Sequence, residues 1–97
     1  MKYTLASHSI EISDFQHDQI VEKIKKLEKH LPDPLPLEIA FTHDSPEVVR
    51  CHLNYGNGKN TVHCEQTGAT IEDALDQVIE KLRRELIKRH EKKRDWR

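Results

Sequence analysis

The sequence predicts an α+β fold of order β-α-β-β-β-α, a four-stranded sheet with two helices packed on one face. Three observations carry that expectation. Two helix-start patterns each precede a single apolar stripe at helical spacing, three runs of alternating apolar and polar residues lie between them, and Asn57-Gly58 separates two of those runs. A helix with one apolar stripe and a strand with one apolar face must each bury that surface against another element, and layering helices on the sheet satisfies both. The 97 residues fit one domain, residues 1–97, with no second one.

The first strand is read at Tyr3 to Ser7, followed by Ile10 and Ile12. Ser13-Asp14-Phe15-Gln16 has the form of a capping box, in which the serine hydroxyl accepts from the helix and the glutamine reaches back. Ile20, Ile24, Leu27 and Leu31 then form one stripe on a helix from about 14 to 30. Pro32, Pro34 and Pro36 end it, because proline lacks the amide that continues the ladder.

Leu37, Ile39 and Phe41 alternate with Glu38, Ala40 and Thr42 in a second strand, and His43-Asp44-Ser45-Pro46 reads as a turn. Val49, Cys51, Leu53 and Tyr55 alternate with Arg50, His52 and Asn54 in a third. Asn57-Gly58 predicts a tight hairpin into a fourth strand, Lys59 to Gln66, with Val62 and Cys64 inward. A two-residue turn there pairs residues whose numbers sum to 115, which sets His52 opposite His63 and Cys51 opposite Cys64. Thr70-Ile71-Glu72-Asp73 opens the last helix, and Ile71, Ala74, Leu75, Val78, Leu82 and Leu86 trace its stripe with no breaker through Arg94.

Hydrophobic residues make up 35% and charged residues 34%, so the core must come from well-placed positions. No apolar run approaches the roughly 18–20 residues of a membrane span, and the first residues lack the apolar stretch of a signal peptide. A cytoplasmic domain with reduced cysteines is expected, and no membrane partner. No nucleophile elbow, phosphate-binding glycine loop or paired carboxylates are present, so catalysis is not expected. Of seven histidines only His52 and His63 come together, and the paired cysteines point to the opposite face, so no metal or other cofactor is expected.

The formal net charge is −1, yet it is unevenly placed. Residues 1–80 carry seven basic and fourteen acidic side chains, a balance of −7, whereas residues 81–97 carry nine and three, a balance of +6. At about 100° per residue, Lys81, Arg84, Lys88 and Lys92 fall within an arc of roughly 80° beside the apolar stripe. Lys23, Lys26 and His30 share one flank of the first helix. Two such flanks on neighbouring helices would form a groove for a phosphate backbone. Ordinary amphipathic helices with solvated lysines are the plainer alternative.

The residues resemble the ribosome hibernation-promoting factors and ribosome-associated inhibitors, also called sigma-54 modulation proteins, along essentially the whole chain. Ile10-Glu11-Ile12-Ser13 resembles the family's strand-to-helix entry, and Glu22 to His30 resembles its first-helix signature. Ala74-Leu75-Asp76, followed by Lys81-Leu82-Arg83-Arg84-Glu85-Leu86-Ile87-Lys88, resembles its Ala-Ile-Asp and Lys-Leu-x-Arg-Gln-Leu-x-Lys pattern. Thr70 and Glu72 stand where the family usually has Asp and Tyr.

The resemblance implies the same element order, a fold similar to a double-stranded-RNA-binding domain, and binding to 16S rRNA in the decoding region of the small ribosomal subunit. It further implies that the bound protein blocks mRNA and tRNA in stress or stationary phase, without a cofactor. By motif position Lys81, Arg84 and Lys88 would contact rRNA, with Lys23 and Lys26 supporting; Arg89 and Lys92 are added for their charge. The chain resembles a short form without the dimerisation domain, which implies a monomer when free. Two other readings are a general binder of structured RNA and an interaction domain whose basic last helix docks an acidic protein.

Overall fold

The computed structural model describes residues 3–8, 10–31 and 35–95, except for the side chains of residues 60 and 89–95. Six elements of regular structure follow the predicted order: β1 (Tyr3–His8), α1 (Asp14–Glu28), β2 (Leu37–Ser45), β3 (Val48–Tyr55), β4 (Val62–Gly68) and α2 (Ile71–Asp95). The strands lie in the spatial order β1-β2-β3-β4, with β1 parallel to β2 and the other neighbours antiparallel.

Both helix starts are closed as the sequence suggests. The Gln16 amide donates to Ser13 Oγ at 3.1 Å, and the Ser13 amide donates to Gln16 Oε1 at 3.0 Å. The Asp73 amide donates to Thr70 Oγ1 at 3.1 Å. Each bond satisfies an amide that the first helical turn leaves without a partner.

Alternation along β2, β3 and β4 sends Leu37, Ile39, Phe41, Val49, Cys51, Leu53, Tyr55, Val62 and Cys64 to one sheet face, all buried. Ile20, Ile24 and Leu27 of α1 and Ile71, Ala74, Leu75, Val78 and Leu82 of α2 complete the same core, so both helices cover that face. Leu31 and Leu86 pack at its margin.

Two connections differ from the sequence reading. β2 continues through His43 and Asp44 to Ser45, with an irregularity between His43 and Ser45, so the turn falls at Pro46 and Glu47. Asp44 is held there by Arg50, whose Nε and Nη2 donate to its two carboxylate oxygens at 2.9 and 2.6 Å.

The β3–β4 connection is longer than a two-residue turn. Asn57 is extended (φ −126°, ψ 140°), whereas a type I′ turn needs positive φ at both central residues. Positive φ falls instead at Gly56 and Gly58, and Gly58–Asn60 form a 3₁₀ turn closed by the Thr61 hydroxyl donating to the Gly58 carbonyl at 2.9 Å. The first pair is therefore Tyr55 with Val62, a register displaced by two residues. Cys51 faces Gln66 and Cys64 faces Leu53, so the expected Cys51–Cys64 pair is not formed; both cysteines are buried and neither is in a disulfide. His52 faces Glu65 and His63 faces Asn54, which separates the expected histidine pair. A displacement of two leaves every side chain on its expected face, because side chains alternate with period two.

Gly68, at the end of β4, lies under the first turn of α2. A Cβ added there would stand 2.6 Å from the Ala74 amide nitrogen and 2.8 Å from Asp73 Cβ. The missing side chain is what allows α2 to start this close to the sheet.

Candidate nucleic-acid interface

Helix α2 packs over β3 and the edge strand β4, and its outward surface carries the basic residues. Leu82 is fully buried, which fixes the rotation of the helix and directs its neighbours. Lys81 is half-buried beside the apolar seam. Arg84 and Lys88 extend into solvent, with side chains 73% and 70% exposed. Arg84 Nε lies 3.6 Å from Glu80, and Lys88 Nζ lies 4.0 Å from Glu85. Both are same-helix surface pairs of the i,i+4 or i,i+3 kind, worth only a few tenths of a kcal/mol, so an incoming phosphate displaces them at little cost. Arg89 and Lys92 continue this stretch of α2, and their side chains lie outside the described residues.

The α1 residues are arranged differently from expectation. Lys26 is exposed. Lys23 turns toward α2, where its ammonium donates to Asp76 at 2.6 Å and lies 3.7 Å from Glu72. The hydrogen bond to Asp76 holds this ammonium above the ordinary lysine range, against the opposing effect of its burial. Lys23 thus ties the two helices together.

That contact also fixes which flank of α2 faces α1. At about 100° per residue, Asp76 stands roughly 80° to 140° around the helix from Arg84, Lys88 and Lys81, and Glu72 roughly 120° to 180°. The basic ridge therefore faces away from α1, on the side of edge strand β4. The ridge and the α1 flank do not form the expected shared groove, because Glu72 and Asp76 stand on the α1 side of α2 and engage Lys23 there.

The sheet's second face carries a polar network that sequence spacing did not reveal. Arg50 on β3 bridges Asp44 on β2 and Glu65 on β4, and His52 Nδ1 lies 3.5 Å from the other Glu65 oxygen. His63 Nδ1 and Asn54 Oδ1 are 2.6 Å apart. Hydrogen bonds from Arg50 hold the Asp44 carboxyl below the usual carboxylate range and, with those to Glu65, hold the guanidinium above its own. Arg50 is thus committed within the sheet. On the opposite face, burial pushes the Cys51 thiol up to about 12. Among the described residues no helix is long and apolar enough to cross a membrane.

The fold and the ridge define a class: a small α+β domain that presents a cationic helix flank from one face of a mixed sheet. The chain belongs to the Sigma 54 modulation protein / S30EA ribosomal protein family, whose model matches residues 3–94. Over 93 residues it is 25% identical to a ribosome hibernation promoting factor of Azotobacter vinelandii, covering 95% of this chain and 85% of that protein. A ribosomal subunit interface protein from Coxiella burnetii has a similar structure, with a TM-score of 0.76, 18% identity, and coverage of 93% of this chain and 98% of that one. The N-terminal domain of Protein Y from Thermus thermophilus gives a TM-score of 0.70 at 19% identity, over 84% of this chain and 91% of that one. The β-α-β-β-β-α order agrees with these folds.

Proposed function

We propose that this protein is a ribosome hibernation factor that binds 16S rRNA in the decoding region of the small subunit and excludes mRNA and tRNA. The α2 ridge, Lys81, Arg84 and Lys88, grips the sugar–phosphate chain, and Arg89 and Lys92 lengthen the same track. Lys26 adds a contact from α1, while Lys23 acts indirectly by holding α1 against α2. Inhibition is by occupancy, held by phosphate contacts and needing no cofactor.

The observation that carries this reading is the convergence of Lys81, Arg84 and Lys88 on one arc of a helix whose adjoining apolar side is fixed in the core. Among the described residues, Arg84 and Lys88 are opposed by weak same-helix pairs. Family membership and the hibernation-factor relative support the choice of the ribosome over RNA in general.

Sedimentation with purified small subunits tests it. The protein should travel with the subunit at low salt, and the Lys81→Glu, Arg84→Glu, Lys88→Glu triple variant should stay at the top of the gradient with an unchanged circular dichroism spectrum. Each phosphate contact adds roughly −0.7 to −0.9 to the log–log salt slope, so reversing three should flatten it by roughly 2 to 3. Equal sedimentation of the variant would remove α2 from the mechanism. Failure of the parent protein to sediment would overturn the reading.

A further inference from the structure

The opposite end of the molecule from the ridge carries a second surface of contrary character. The first halves of α1 and α2 enclose an open cleft of about 280 Å³, walled by Phe15, Ile20, Ile71 and Leu75, with Glu72 and Lys23 at its edge. Phe15 is 71% exposed, the most exposed large apolar side chain among the described residues. It lies off the Ile20–Ile24–Leu27 stripe, so packing of α1 on the sheet does not account for it. An aromatic ring left in water beside an apolar hollow gains free energy when another apolar group covers it.

Charge selects what covers it. Asp18 and Glu22 follow Phe15 by three and seven positions, on the same side of α1, and both are exposed. Glu72 lines the α2 side, Asp76 follows it one helical turn on, and Lys23 is already paired with both. Four carboxylates thus stand in or near the cleft against its one ammonium, which is itself engaged, so the surroundings of the cleft are anionic. A nucleic-acid phosphate is repelled there, whereas a cation is attracted.

We infer that this cleft docks a cationic polypeptide segment of a partner protein, with an apolar side chain seated against Phe15, Ile20 and Leu75 and flanking Lys or Arg side chains meeting Asp18, Glu22 and Glu72. The inference does not depend on the ribosome reading. It gives the acidic body a role of its own beside the basic ridge: one face takes RNA, the other takes a basic protein tail.

The test is a titration of the ¹⁵N-labelled full chain with a synthetic Lys/Arg peptide carrying one central Leu, and with its central-Gly counterpart. Expected are saturable amide shifts centred on Phe15, Gln19, Ile71 and Leu75, weaker at high salt. Affinity should fall about tenfold or more for the Gly peptide and for Phe15→Ser, the scale of one lost apolar contact. Phe15 is exposed, so that variant should keep its circular dichroism spectrum and melting temperature. Shifts scattered over the acidic surface, or equal affinity with and without Phe15, would overturn the inference. Shifts that instead appear on raising the protein concentration alone and vanish in Phe15→Ser would also overturn it, assigning the cleft to a second copy's basic α2 end, where Ile87 is 58% exposed. No ribosome is present in this titration, so its outcome and that of the sedimentation test are separable.

Discussion

Lys23 of α1 and Asp76 of α2 meet at 2.6 Å across the helix seam, a contact between residues 53 positions apart in the chain. Part of α1's cationic flank therefore serves to join the helices. The Lys23 side chain is 26% exposed and the carboxylate 53%, so water screens the pair only in part.

Asp76→Asn and Lys23→Met should each lower stability by about 0.5–1 kcal/mol, the range of a hydrogen-bonded pair near the surface. A double-mutant cycle in urea should show that the two losses are not additive. Because the folded state raises the lysine's pKa, its contribution is complete below the unfolded value of ~10.4 and disappears as pH rises through the higher folded value. The parent should thus lose its advantage over Lys23→Met only in strong alkali; a constant difference through that range would contradict the pairing.

Asp44 gives the opposite pH dependence. Its carboxyl is held below the usual carboxylate range by hydrogen bonds from Arg50, so its contribution is present above about pH 4 and is lost as pH falls through the lower folded value. Urea midpoints measured from pH 5 to pH 2 should fall more steeply for the parent than for Asp44→Asn. Parallel curves would mean that Asp44 and Arg50 do not pair in solution.

Gly68→Ala should be destabilising although the substitution is small. The added methyl would stand 2.6 Å from the Ala74 nitrogen, which is backbone and yields only if α2 shifts. Overpacking of this kind costs roughly 1–3 kcal/mol, or a fall in melting temperature on the order of 4 °C or more. Calorimetry of the variant measures it, and an unchanged melting temperature would show that α2 does not start so close to the sheet.

Both cysteines should be silent to a thiol reagent in the folded protein at pH 8 and react together after denaturation. Cys51 is fully buried with its thiol pushed up to about 12, and Cys64 is buried opposite Leu53. Fast native labelling of either would argue that β3 and β4 separate readily.

The order of elements was legible because each carries its own period: the stripe of Ile20, Ile24 and Leu27, the alternation of Leu37, Ile39 and Phe41, and the caps at Ser13 and Thr70. Strand register was not. Asn57-Gly58 invites a two-residue turn, but the paired positions depend on how Gly56, Gly58 and Thr61 close the loop, and a slip of two changes no face. The cations of α2 could be placed on one arc from spacing alone. Their relation to α1 could not, because it is set by a contact between distant positions, Lys23 with Glu72 and Asp76, that no local pattern encodes. Phe15 was visible only as part of a cap; its distance from the apolar stripe was the available clue.

The C-terminal helix also divides its labour along its length. Among the residues whose side chains are described, Leu86 is the last of α2 to pack on the core, and the helix runs on to Asp95. Beside that clamped seam Arg84 and Lys88 stand in solvent, so one cation can be exchanged for another there without unseating Leu82 from the interior. Under the proposed function, substitutions at these two positions would alter the hold on RNA while the scaffold beneath keeps its melting point.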